Sequence, residues 1–224
     1  MIWAGNRLRL RPSIESVARG ATHGATVMIQ IFAVTHDGQA ERIARRIVDH
    51  LSSPEFAHNP VNSASALSTE QLSLNGTTAI PEINGDAEVV VLVAAVRYGK
   101  HLPATDAFLA RYARLTAAPP LALASVNLVA RKPGRQSVET NPYLKRLIAR
   151  HSLQPAAATA FAGRLCYPQY SWRDRQIIRL IMLLTGGVAD GRSTVEYTDW
   201  HQVHDFAASV AALARKRQIS RSSG

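Results

Sequence analysis

The chain has 224 residues, 46% of them hydrophobic, with 26 Lys and Arg against 16 Asp and Glu. That length and apolar share allow a sizeable core and exclude a disordered or fibrous chain. The single cysteine, Cys166, excludes an intramolecular disulfide framework and fits a reducing, cytosolic compartment, while the formal net charge of +10 asks for an anionic partner: phosphate, carboxylate, acidic lipid or nucleic acid.

Residues 1–27 hold Arg7, Arg9, Arg11 and Arg19 against Glu15, with no apolar run long enough for a signal peptide. Their Arg-rich, acid-poor composition is also that of a transit peptide. The reading preferred here is a flexible N-terminal extension, or residues ahead of a true start at Met28. "VMIQIFAV", from Val27, suits a buried parallel strand. After the turn "THDGQA", the segment "ERIARRIVDHL" places Ile43, Ile47, Val48 and Leu51 on one helical face. The Asn/Ser/Ala-rich stretch from Ser52 to Asp86 is weaker, with one edge strand expected near 59–64. "AEVVVLVAAV", from Ala87, is the strongest strand signal in the chain. A helix follows through Phe108, Leu109, Tyr112 and Leu115, then the strand "PPLALASV". Leu128 to Arg150 concentrates six basic residues against Glu139 and includes a helix with Pro142 in its first turn. "AAATAFAGRL" is a further strand.

From Ile177 to Leu184 every residue but Arg179 is apolar, and Arg173 and Arg175 crowd the front of this run. It is too short to span a bilayer, which needs about 20 apolar residues. The closing helix starts at an N-capping Asp199, with Val203, Phe206, Val210 and Leu213 in one stripe. A basic C-terminal tail is set apart from Arg215.

Strands alternating with helices predict a doubly wound α/β fold, a five-stranded parallel sheet in the order 2-1-3-4-5. In such sheets ligands bind beyond the carboxyl ends of strands 1, 3 and 4. Three loops therefore matter. The first has neither a dinucleotide fingerprint nor a P-loop. It can hold a monophosphate through Thr35, Gly38 and a helix N-terminus, or be an ordinary turn capped by Asp37. The second offers Tyr98 for stacking beside a flexible Gly99. The third opens with Ser125 and Asn127 and runs into Arg131, Lys132 and Arg135, a ligand contact or a solvated face.

"THDGQ", "RYG", "SVNLVARKP", "YPQYSWRDR", "LIMLLTGG" and "EYTDWHQV" occur in this order and spacing in the quinone-dependent protoporphyrinogen dehydrogenases of bacterial haem synthesis. The chain resembles that family from about Met28 to Leu213. The resemblance implies a long-chain flavodoxin-like fold over residues 28–214, its last strand interrupted by an insertion at about 164–195. It implies FMN as cofactor, with Thr35, His36, Asp37, Gly38 and Gln39 at the phosphate. Many such loops end in Thr where this one has Ala40. The isoalloxazine would face Ala95, Arg97, Tyr98, Gly99, Ser125, Val126 and Asn127. The reaction implied is oxidation of protoporphyrinogen IX, six electrons and six protons in three two-electron turnovers, with a membrane quinone as acceptor. The substrate's propionates give a reason for Arg131, Lys132, Arg173 and Arg175 near the cleft mouth. No side chain stands out as a catalytic base.

Three placements fit the apolar helix from Trp172 to Leu184. It can rest on an anionic membrane surface at the cytoplasmic face, pack against a second protomer in a homo-oligomer, or sit in the core. Three other functions compete with the implied one. A flavodoxin electron carrier would use the same FMN site, but such carriers are typically acidic. A generic FMN quinone reductase has no need of a basic mouth. A nucleic-acid-binding module would use the basic segments, but these lack interleaved aromatics and a recognition-helix pattern, so no nucleic acid is expected. No metal is expected.

Overall fold

Strand β1 runs Val27–Val34 and strand β3 Val89–Arg97; β1 is buried along nearly its whole length and β3 from Val89 to Ala94. A computed structural model describes residues 27–53 and 82–223, together with the backbone of 67–74. Residues 1–26, and with them nearly all of the N-terminal extension, lie outside the described residues, as does the edge strand expected near 59–64. The strand that pairs with β1 on its outer side is β2, Leu67–Leu74, parallel and in register from Val27↔Leu67 to Val34↔Leu74. With β5, Leu121–Val126, and β6, Ala157–Phe161, the sheet order is β2-β1-β3-β5-β6, all parallel.

The uninterrupted apolar run of β3 has a simple cause. Val89, Val91 and Val93 enter one core layer, while Val90, Leu92 and Ala94 enter the other. Neither face meets water, so no polar alternation is needed. The first layer is closed by helix α1, Gln39–Leu51, and helix α5, Trp200–Ser222. The second is closed by α2, Pro103–Tyr112, and α3, Pro142–Arg150. Two helix starts follow the sequence signals. Asn141 accepts from the N–H of Tyr143 and Leu144 ahead of α3, and Asp199 accepts from His201 and Gln202 ahead of α5.

Helix α5 does not stop where the basic tail was set apart. It continues to Ser222, and its last turns carry Arg217 and Arg221 onto Glu88 at the start of β3, at 3.5 and 3.1 Å.

The insertion leaves the sheet at Gly163 and returns at Tyr197, whose N–H donates to the Gly163 carbonyl at 3.2 Å. Between these points β7, Arg164–Cys166, pairs antiparallel with β8, Thr194–Glu196. Helix α4, Trp172–Thr185, also lies within the insertion. Leu165, Tyr167 and Met182 make a small core of their own, with Ile178 packed against them. Met182 is the one buried residue of α4, which removes the core placement for that helix.

Candidate functional site

The loops after β1, β3 and β5 converge with the inner side of α4 on one cleft, walled by Thr35 to Asp37, Ala95 to Gly99, Val126 to Val129, Ile178 and Ile181. At the first loop, α1 begins at Gly38 with φ 77° and no side-chain cap. The sequence allowed Asp37 as that cap, but its carboxylate instead accepts from His36 Nδ1 at 2.9 Å. The first-turn N–H groups of α1 therefore have no side-chain acceptor, and the helix dipole is positive at this end. Thr35 Oγ1 is buried there with no hydrogen-bond partner among the described residues. A Cβ built on Gly38 would meet nothing within 4 Å. An orphaned hydroxyl, uncapped amides and open space together fit a bound phosphate.

Gln39 plays a different part from the one expected. Its Nε2 donates to Glu196 Oε1 and Thr198 Oγ1, both at 2.9 Å, and its Oε1 accepts from Arg42. Its side chain ties α1 to the end of the insertion, leaving its backbone as the only part free for a phosphate. Ala40 stays in the cleft wall.

The second loop is a tight turn rather than a flexible one. Tyr98 and Gly99 both have positive φ, 50° and 76°, and Arg97 pairs with Lys100 across them. That is the backbone a type I′ hairpin requires; the short strand β4, Lys100–His101, completes it. The turn presents Arg97 as a hub. With the His36 proton on Nδ1, its Nε2 accepts from Arg97 Nη1. Arg97 Nη2 donates to Asp174 Oδ2 at 2.8 Å, and the Tyr98 hydroxyl donates to the other oxygen of Asp174. The Tyr98 bond, then the neighbouring Ser171 and Arg97, hold the Asp174 carboxyl below its ordinary range.

Ser125 does not face the cleft. It is fully buried beneath it, bonded to His101 Nε2 at 3.0 Å and to Asn127 Nδ2 at 3.1 Å. Burial lowers the His101 pKa to about 4, so the imidazole is neutral near pH 7. Val126 and Asn127 do line the cleft. The Asn127 side-chain oxygen caps the short turn Leu128–Arg131 and accepts from Asn141.

Of the basic candidates, Arg131 lines the cleft, but its guanidinium holds the end of α4: Nη2 donates to Thr185 O at 3.0 Å and to Thr185 Oγ1 at 2.8 Å. Lys132 and Arg173 are exposed and do not line the cleft, while Trp172 and Arg175 line a separate hollow. Sequence reasoning missed Arg164, Tyr170 and Tyr143 in the wall. Arg164 makes no ion pair among the described residues. Its place next to Gly163, where the chain leaves the sheet at a ligand-bearing edge, was the available signal.

A family model described as "Flavodoxin domain" matches residues 30–191. Protoporphyrinogen IX dehydrogenase (quinone) from Escherichia coli strain K12 is 42% identical over 127 residues, 57% of this chain and 70% of that one. The chain belongs to the flavodoxin-like protoporphyrinogen IX dehydrogenase family. A Leishmania major protein of the same name is 39% identical over 128 residues, 57% of this chain and 55% of that one. Among solved structures, a Streptococcus pneumonia TIGR4 flavodoxin aligns at a TM-score of 0.43 and 9% identity, over 83% of this chain and 99% of that one. The sheet order carries the fold without that likeness. FMN is the cofactor of this fold, and the Thr35–Gly38 cradle fits its phosphate.

Proposed function

We propose that this chain oxidises protoporphyrinogen IX to protoporphyrin IX and delivers the electrons to a quinone at a membrane surface. Bound FMN supplies the two-electron acceptor chemistry; the protein supplies binding, orientation and a path to the acceptor. Thr35 and the first amides of α1 hold the phosphate, with His36, Asp37, Gly38 and the Gln39 backbone completing that loop. Ala95, Arg97, Tyr98, Gly99, Val126 and Asn127 would hold the ring system, with Ser125 supporting Asn127 from below. Arg164 is the cleft cation suited to a substrate propionate, a role that Arg131 cannot take while it holds Thr185.

The observation that carries this reading is the double position of α4. Ile178, Ile181 and Thr185 wall the cleft, while Leu180, Leu183 and Leu184 are exposed on the same helix, the last two at 71% and 76%. One helix thus joins the cofactor site to a bare apolar surface, which suits a lipid-dissolved acceptor such as menaquinone. Among the described residues no helix is long and apolar enough to cross a membrane, so the contact proposed is peripheral, at the cytoplasmic face. A second copy of the chain on the same face is the alternative reading, favoured by the extent of the apolar surface alone.

The test is anaerobic. Purified protein carrying FMN should bleach on addition of protoporphyrinogen IX, release fluorescent porphyrin, and recover its colour with a menaquinone analogue. Flavin that ignores the porphyrinogen but is reduced by NAD(P)H would make the chain a general quinone reductase instead.

A further inference from the structure

Beside the exposed face of α4 lies a second hollow, distinct from the cleft, of about 410 Å³. Trp172, Arg175 and Arg179 line it from α4, and Asp190, Gly191 and Arg192 from the loop that follows. Three arginines thus share its lining with one carboxylate. That carboxylate is already occupied. Asp190 accepts from the N–H of Arg192 and Ser193 and from the Ser193 hydroxyl, bonds that lower its pKa to about 2. None of the three arginines forms an ion pair among the described residues. Arg179 is held by uncharged acceptors, Nε to Ala189 O at 3.1 Å and Nη1 to Gln176 Oε1 at 3.2 Å. Arg175 Nε is buried without a hydrogen-bond partner among the described residues. Trp172, 72% exposed, completes the lining at the start of α4.

We infer that this hollow seats the phosphate of an acidic phospholipid. The inference rests on the reading that α4 meets a bilayer, and it adds a defined headgroup site to that contact. The chemistry is complementary throughout. Guanidinium groups match a phosphodiester in charge and in paired N–H geometry. The neighbouring Ile177, Leu180, Leu183 and Leu184 side chains suit acyl chains, and an indole ring sits favourably at headgroup depth. A diffuse basic surface would attract anionic lipid without a preferred position. Here the positive charge is gathered in one hollow on the helix that carries the exposed apolar side chains, which also sets the orientation of the cleft relative to the membrane.

The experiment uses the full chain with FMN bound, with phosphatidylcholine vesicles and with vesicles containing phosphatidylglycerol. Wild-type protein should prefer the acidic vesicles. The Arg175→Gln, Arg192→Gln pair should cut binding to acidic vesicles by about thirtyfold, roughly fivefold per charge, with binding to neutral vesicles and flavin content unchanged. A charge-matched control, Lys145→Gln with Arg146→Gln on α3, should lose far less. Equal losses in the two pairs would reduce the effect to diffuse charge and overturn the site. Inorganic phosphate, at matched ionic strength, separates the sources: tight phosphate binding without a preference for acidic vesicles would overturn the lipid assignment. The outcomes also separate this site from the catalytic reading. Porphyrinogen oxidation with a soluble acceptor but no vesicle binding sinks the site and the membrane contact it rests on, and leaves the catalytic reading standing. Arginine-dependent vesicle binding without porphyrinogen oxidation sinks the catalytic reading alone.

Discussion

Arg97 and Asp174 are 77 residues apart in the chain, and Nη2 of the first donates to Oδ2 of the second at 2.8 Å. This bond and the Tyr98 bond to the same carboxylate fasten the insertion to the hairpin that flanks the cofactor cleft. Asp174→Ala should loosen that junction. Amide exchange should quicken in residues 167–195 and stay unchanged in β1, β3 and β5. Because the Asp174 carboxyl is held below its ordinary range, its contribution is complete above the unfolded pKa of about 3.9 and is lost only as pH falls through the lower folded value. Wild-type exchange in this segment should therefore be insensitive to protonation of Asp174 between pH 5 and 8. Equal protection in wild type and variant would show that the junction is held by packing alone.

Thr35 separates cofactor binding from folding. Its Oγ1 has no protein partner, so Thr35→Val should leave the apo protein as stable as wild type, or more stable by up to about 1 kcal/mol. FMN affinity should fall roughly tenfold or more, the loss of one hydrogen bond to a charged group. Fluorescence titration of the apo protein with FMN measures the second quantity and thermal unfolding the first. Unchanged FMN affinity would move the phosphate away from Thr35.

Gly38→Val should strip FMN more completely. The position has φ 77°, which a β-branched residue adopts at a cost on the order of 1–2 kcal/mol, and the added side chain would fill the open space at the phosphate. A folded variant with full flavin occupancy would show the cradle to be wrongly assigned.

His101 makes stability depend on pH. Its folded pKa, about 4, lies below the unfolded value of about 6.5, so on acidification the unfolded chain takes up the proton first. Stability should fall as pH drops from 6.5 to 4, by on the order of 2–3 kcal/mol from this group, and the dependence from this group should level off below 4. His101→Gln can keep a hydrogen bond to Ser125 and should flatten that part of the curve. Denaturant midpoints measured across this range for the two proteins give the difference directly; parallel curves would mean that His101 is solvated.

The outer face of α4 can be tested without disturbing its inner one. Ile178 packs against Leu165, Tyr167 and Met182, whereas Leu183 and Leu184 are exposed, so the informative change is Leu183→Glu with Leu184→Glu. Vesicle binding and turnover with a membrane quinone should drop far more than turnover with a soluble dye. The flavin should stay bound and reducible. A shift from oligomer to monomer, with quinone turnover intact, would assign the face to a second copy of the chain.

The parts of the fold legible in the sequence are those where local pattern and burial agree. β1, β3 and β5 read clearly because strands covered on both faces are continuous apolar runs. That same double burial hides which residues face the cleft, and Ser125, on such a strand, turned out to lie beneath it. β2, "LSTEQLSL", offers no comparable run, and the edge strand expected in that segment was placed near 59–64 rather than at Leu67–Leu74. The length of α5 was missed because the reason for it is not local. Arg217 and Arg221 look like tail residues until Glu88, well over a hundred positions earlier, is placed beside them. At the cleft, loop positions followed from strand order, but side-chain commitments did not. Arg131 is claimed by Thr185 and Gln39 by Glu196 and Thr198, partners that only the folded chain brings near.

The backbone bond between Gly163 and Tyr197 makes the insertion a parenthesis in the chain. It opens and closes at one point, so the sheet and the closing helix keep the same path whatever lies between. A descendant of this sequence could lengthen, shorten or exchange that passage and redirect the electrons to another acceptor. It would still inherit Thr35 and the uncapped start of α1, and with them the cradle that fits a phosphate.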